Sequence, residues 1–141
     1  MPAITRFEDI QAWQTARELT RLVYTLSNRG TFAQDFGLKD QMRRAAVSIM
    51  SNIAEGFESR TESQFIQHLG HAKASAGELR SQAYVALDVE HITDNQFQEL
   101  TALCKKCSGQ ISRFMTYLQS NSNSRRVRED RIEYDVGTLK C

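Results

Sequence analysis

The stretch LKDQMRRAAVSIMSNIAEGF, from Leu38 to Phe57, decides the fold class. Leu38, Met42, Ala45, Ala46, Ile49, Met50, Ile53 and Ala54 recur at the steps of an amphipathic α-helix, and no part of the chain sustains the two-residue alternation of a strand. A second row, Gln41, Arg44, Ser48, Asn52 and Glu55, runs along one face of the same helix at spacings of three, four, four and three. So apolar a helix is expected to be largely buried. A polar group taken out of water without a partner costs about 1–3 kcal/mol, so this row has to meet a second polar surface, a ligand, another subunit or trapped solvent.

Working outward, three more helices can be read. The first runs from about Glu8 to Asn28, with an inner stripe of Ile10, Trp13, Ala16, Leu19, Val23 and Leu26, and ends at Arg29 and Gly30. A short loop, TFAQDFG, leads into the Leu38–Phe57 helix, in which Gly56 is a weak point near the end. Thr61-Glu62-Ser63-Gln64 fits a capping box and opens the third helix, whose inner row is Phe65, Leu69, Ala72, Ala76, Leu79, Ala83 and Ala86. Thr93-Asp94-Asn95-Gln96 repeats the signal for the fourth, with Phe97, Leu100, Cys104, Cys107, Ile111, Phe114 and Leu118 inside. Pro2 is the only proline, so no helix interior is interrupted. Four such helices joined by short loops predict an all-α, antiparallel, up-down-up-down four-helix bundle over residues 1–120. The polar, charge-mixed segment 121–141 is expected to be a flexible tail.

Alanines and glycines along the third helix allow a close neighbour, and the small-residue-rich second helix is the natural one. Folding the two as a hairpin about residues 59 and 60 sets Arg44 level with Ser75, Gln41 with Glu78, Ser48 with His71, and Asn52 with Gln67 or His68. The third helix has its own polar row, His68, His71, Ser75, Glu78 and Gln82. The facing rows predict a buried or half-buried network with Arg44 and Glu78 as its ion pair, fixing helix register and subunit pairing.

Composition narrows the functional classes. The 141 residues are 40% hydrophobic and 25% charged, the balance of a globular domain. With no run of roughly 20 apolar residues and no secretory leader pattern, the expected location is the cytoplasm. Three cysteines, two of them three residues apart on a helix, suit a reducing compartment rather than a disulfide framework. Ser48 and His71 would suggest a nucleophile and base, yet both lie in regular helices with no oxyanion-hole loop, so catalysis is not expected. No Glu-x-x-His pair suits a di-iron site, and the single CKKC lacks a second cysteine pair for zinc; neither metal nor cofactor is expected. Arg43 beside Arg44, Lys105 with Lys106, and Arg125, Arg126 and Arg128 in the tail are the residues that would contact phosphates. Against that, residues 1–120 hold thirteen Lys or Arg and thirteen Asp or Glu, the net charge of the chain is +1, and no aromatics interleave with these clusters in the sequence.

The phrases FEDIQAWQTARELTRLVY, GLKDQMRRAAVSIMSNIAEGFESR and FIQHLGHAKASAGELRSQAYVAL, in order across about residues 7–118, resemble the four-helix-bundle proteins encoded within intervening sequences of bacterial 23S ribosomal RNA genes. The most specific element is SNIAEG at Ser51–Gly56, followed by the Ser75, Glu78 and Leu79 pattern. The resemblance implies a left-handed bundle assembled into ring-like homopentamers. It also implies kinship with accessory proteins of diversity-generating retroelements, which bind a reverse transcriptase and nucleic acid. Arg44, Ser48, Asn52, Glu55 and Glu78 match recurring motif positions that bring no catalytic assignment with them. Where such proteins often have proline, this chain has Ala33 and Met50, so the second helix is expected to be straight. The expected function is a non-enzymatic, homo-oligomeric assembly or interaction module with a protein partner. The alternative is an RNA- or ribonucleoprotein-binding accessory factor. A membrane is not an expected partner.

Overall fold

Two threonines and an aspartate set where three of the four long helices begin. The structure is a computed structural model describing the backbone of residues 3–136 and the side chains of residues 3–121. A 3-10 turn at Phe7–Asp9 leads into α1 (Gln11–Ser27), followed by α2 (Gly30–Gln34), α3 (Phe36–Glu58), α4 (Glu62–Asp88) and α5 (Asp94–Val136). All the described elements are helices. Asp35 starts α3 two residues earlier than the apolar pattern implied, because its Oδ1 accepts the Leu38 amide at 3.2 Å. Both capping boxes form: Thr61 Oγ1 accepts from the Gln64 amide at 3.1 Å, and Thr93 Oγ1 from the Gln96 amide at 3.1 Å. Gln96 Oε1 returns the bond to the Thr93 amide, whereas Gln64 Oε1 reaches one residue further back, to the Arg60 amide.

At the end of α4 the His91 amide donates to Ala86 O and the Glu90 amide to Leu87 O, the two bonds of a Schellman motif. Its left-handed position is Glu90, at φ 64°, rather than the glycine such an ending favours.

The helices form a closed circuit in which α1 packs on α3, α3 on α4, α4 on α5 and α5 back on α1. The α3–α4 pair makes the most extensive of these contacts. Thr20 Oγ1 reaches Ala46 O while Arg43 reaches back to Ser27; Phe65 packs on Phe114 while Tyr84 packs on Phe97. The predicted inner rows fill the centre: Ala16, Leu19 and Val23; Leu69, Ala72, Ala76, Leu79, Ala83 and Ala86; Leu100, Cys104, Cys107 and Ile111. Each fully buried leucine among them contributes about 1.5–3 kcal/mol relative to exposure. The alanines of α4 bring its backbone close to α3. Burial pushes both inner-row thiols, Cys104 and Cys107, up to about 12, so they behave as small apolar groups.

Two expectations need correction. The loop TFAQDFG is not irregular: Gly30–Gln34 forms α2, and Phe32 is among the most deeply buried side chains. The first helix begins at Gln11, because the Phe7–Asp9 turn precedes it. Gly56, expected as a weak point near the helix end, lies within α3 and marks a close approach of α3 and α4: a Cβ there would lie 2.8 Å from His68 Cβ and 2.8 Å from Phe65 Cδ1. Helix α3 runs unbroken through Met50, as expected without proline. The α5 backbone is helical to Val136, past the expected start of the tail.

Candidate functional site

The polar rows of α3 and α4 meet in one connected chain of hydrogen bonds, over part of their length. His68 Nδ1 lies 3.1 Å from Asn52 Oδ1. Asn52 Nδ2 donates to Ser48 O at 2.9 Å and to Ser48 Oγ at 3.1 Å, and Ser48 Oγ lies 2.9 Å from Ser75 Oγ. The donor inventory fixes the direction at one end of the chain. Asn52 Oδ1 only accepts, so His68 Nδ1 holds the proton; between Ser48 and Ser75 either hydroxyl can donate. Glu55 Oε2 lies 3.8 Å from the same His68 nitrogen.

Local sequence explains why these residues converge. The rows repeat every three or four residues and therefore track one face of each helix. Gly56 lets the helices touch near the turn, which brings His68 within reach of Asn52. Ser48, Asn52, His68 and Ser75 are half-buried, on the solvent side of the apolar seam.

Other predicted members do not join. Arg44 is 81% exposed and pairs with Asp40 one turn earlier, its Nε 3.1 Å from Asp40 Oδ2. Glu78 is exposed and accepts from Gln82 Nε2 at 3.2 Å, so the expected Arg44–Glu78 pair is absent. Arg44 lies toward the outer edge of the row, where bulk water solvates the guanidinium at no desolvation cost. Gln41 and His71 are exposed too; the His71 ring lies 6.3 Å from that of His68. The expected pairing of Ser48 with His71 is one turn out, since Ser48 meets Ser75 instead. No nucleophile–base contact forms there. Among the described residues no group of three or more His, Cys, Asp or Glu side chains is placed to hold a metal ion, and no helix is long and apolar enough to cross a membrane.

Two constellations escaped the sequence reading. At one end of the bundle His91, 10% exposed, joins Asp35 and Thr31: Nε2 lies 2.9 Å from Asp35 Oδ2, and Nδ1 2.9 Å from Thr31 Oγ1. The ring also stacks on Phe32. The His91 bond, then the Leu38 amide, hold the Asp35 carboxyl below its usual range. This clasp ties α2 and the start of α3 to the α4–α5 connection; the only signal available in sequence was Asp35 as a helix cap. The second is at Arg43. Although no aromatic adjoins it in sequence, its guanidinium lies 4.3 Å from the Tyr24 ring centroid. Lys105 and Lys106 are exposed on α5. Arg125, Arg126 and Arg128 lie outside the residues whose side chains are described.

Comparison with known proteins bears first on the architecture. A crystal structure of a protein of unknown function, of the S23 ribosomal protein family from Bacteroides thetaiotaomicron, superposes with a TM-score of 0.69 at 20% identity, covering 74% of this chain and 95% of that one. At that identity the likeness speaks for the fold alone. No curated protein matches the sequence. Residues 8–113, comprising α1 to α4 and the first half of α5, match the 23S rRNA-intervening sequence proteins, and the chain belongs to that family.

Proposed function

We propose that this chain is a non-enzymatic assembly module: an up-down-up-down, left-handed four-helix bundle of residues 1–120 with a charged tail at 121–141, acting as a cytoplasmic homopentamer whose outer α3–α4 face meets the next copy or a protein partner. The observation that carries the reading is the character of that face. Val47, Val85 and Val89 are exposed on it, from 40 to 51%. They share the two helices with the exposed small residues Ala74 and Gly77 and with exposed Gln41, Arg44, His71 and Glu78. A surface mixing apolar, small and polar groups suits a protein contact better than a solvated helix face. Inward of it, Ser48, Asn52, His68 and Ser75 are tied to one another, with Glu55 beside His68, a construction that sets the register of the presenting helices. The family resemblance supports the ring and its subunit number, and free, buried Cys104 and Cys107 suit a reducing compartment.

Native mass spectrometry and sedimentation of the full chain test this. The expected particle has five times the 16.1 kDa mass of one chain. Val47→Glu combined with Val85→Glu should release folded monomer. A wild type that stays monomeric at tens of micromolar, or a double variant with unchanged mass, refutes the assignment.

A further inference from the structure

The last turn of α1, the two residues after it and the second turn of α3 border a shallow, open depression of about 490 Å³ lined by Tyr24, Thr25, Asn28, Arg29 and Arg43. Its volume lies within the range of small-molecule sites. Arg43 is held in place from within: Nε donates to the Oγ of fully buried Ser27 at 2.8 Å, and Nη2 to Tyr24 O at 3.5 Å. The guanidinium lies over the Tyr24 ring, and the ring itself is 42% exposed. Of the five N–H donors of that fork, two are spent, leaving three on a group that cannot swing away. Arg29 contributes a second guanidinium. Among the described residues neither is paired with a carboxylate, and no acid lines the depression. On the first turns of α3, Asp40 is engaged by Arg44, and the capping Asp35 by His91.

Closing the C-terminal carbonyls of α1 accounts for the Arg43–Tyr24 O bond. A cation just past the helix end, as Arg29 is, is favoured by the α1 dipole, but neither effect accounts for the concavity between the two arginines. Two uncompensated guanidiniums in a recess select an oxyanion, and the fixed fork geometry selects phosphate or carboxylate. The stacked Tyr24–Arg43 pair adds a flat cationic platform of the kind on which nucleobases stack. Asn28 and Thr25 place an amide and a hydroxyl at the rim, able to hydrogen-bond a sugar or a base edge. We propose that this depression is a nucleoside monophosphate site, with the phosphate between Arg29 and Arg43 and the base on the Tyr24–Arg43 platform. The site borders the α3–α4 face, with Arg43 one turn before Val47, but does not depend on the assembly proposed above.

Calorimetric titration of the full chain with adenosine monophosphate, uridine monophosphate, adenosine and inorganic phosphate tests the proposal. Both nucleotides should bind, with adenosine and phosphate each about tenfold or more weaker, because each keeps only one half of the recognition. Arg29→Gln should weaken nucleotide binding about tenfold to a hundredfold without moving the thermal midpoint, since no hydrogen bond or ion pair of that side chain is seen in the fold. Tyr24→Leu should weaken the nucleotides about five- to a hundredfold and leave inorganic phosphate unchanged. Absence of saturable nucleotide binding at millimolar concentration overturns the proposal. So does nucleotide affinity indifferent to both substitutions, or a single-stranded oligonucleotide that binds where mononucleotides do not, which would make the surface a strand-binding one.

Discussion

Replacing Gly56 by alanine probes the contact on which the polar seam depends. In an ordinary helical position the change stabilises by about 1 kcal/mol, because alanine is the better helix former. Here the new Cβ would lie 2.8 Å from His68 Cβ, 2.8 Å from Phe65 Cδ1 and 3.3 Å from Phe65 O. Carbon atoms rest about 3.5–4.0 Å apart, so two overlaps of roughly 0.7 Å or more must be relieved. Neither neighbour yields easily. His68 Cβ is fixed to the α4 backbone, and the Phe65 ring is wedged edge-on between Phe57 and Phe114. Overpacking of this kind costs about 1–3 kcal/mol, and rigid neighbours place it at the upper end. The net expectation is destabilisation by about 1–2 kcal/mol, or roughly 2–8 °C in Tm for a chain of this size. Gly77→Ala is the matched control: a Cβ there meets nothing within 4 Å, so that variant should gain about 1 kcal/mol. Urea melts of both variants, with m-values and particle mass confirmed unchanged, give the comparison. Equal stabilisation by the two alanines would refute the close approach and the register argued from it.

Three further outcomes follow from single residues. Glu78→Ala, severe if a buried pair with Arg44 existed, should change stability by no more than about 0.5 kcal/mol, because both side chains are exposed and unpaired with each other; a loss of several kcal/mol in the same melts would restore the pair. Gln82 is 9% exposed, and its Oε1 is buried without a partner, so Gln82→Met should stabilise by about 1 kcal/mol after the lost bond to Glu78 is deducted; unchanged or lower stability speaks against an orphaned acceptor. Asp35 ionises below its usual 3.8 in the folded chain because His91, then the Leu38 amide, hydrogen-bond the carboxylate, so its ionic contribution is complete above 3.8 and is lost as pH falls through the lowered folded value. The stability gap between wild type and Asp35→Asn should therefore be level near neutral pH and close in strong acid; a gap that widens there contradicts the clasp.

Periodicity made most of the fold legible. A row such as Leu69, Ala72, Ala76, Leu79, Ala83 and Ala86 states in one dimension which face of a helix is inside, because 3.6-residue spacing is local information. The caps at Thr61 and Thr93 are local as well, and their bonds are found as written. Local pattern failed where burial is decided by a distant element. The sequence TFAQDFG reads as a loop from its polar content, yet Phe32 is drawn into the core under the α4–α5 connection, where it stacks on His91, and the backbone winds into α2 around it.

The polar residues were legible as a row but not as a site, and the reason is electrostatic. Spacing places Gln41, Arg44, Ser48, Asn52 and Glu55 on one face, while only depth determines whether they must find partners. Ser48 and Asn52 are short, uncharged and half-buried, so the chain that reaches His68 and Ser75 spends bonds that water no longer supplies. Arg44 and Glu78, longer and ionised, keep their full hydration by pointing outward, and the Coulomb attraction between two such exposed groups is too small to draw them together. Treating every member of a polar row as seeking the facing row therefore overestimates the charged residues and underestimates the small ones. The same reasoning explains Arg43, whose charge sits at the edge of the bundle but whose fork is anchored on fully buried Ser27. Anchoring of that sort fixes the orientation of a cation without neutralising it, and it joins positions 16 residues apart on two helices, a separation that no local pattern reports.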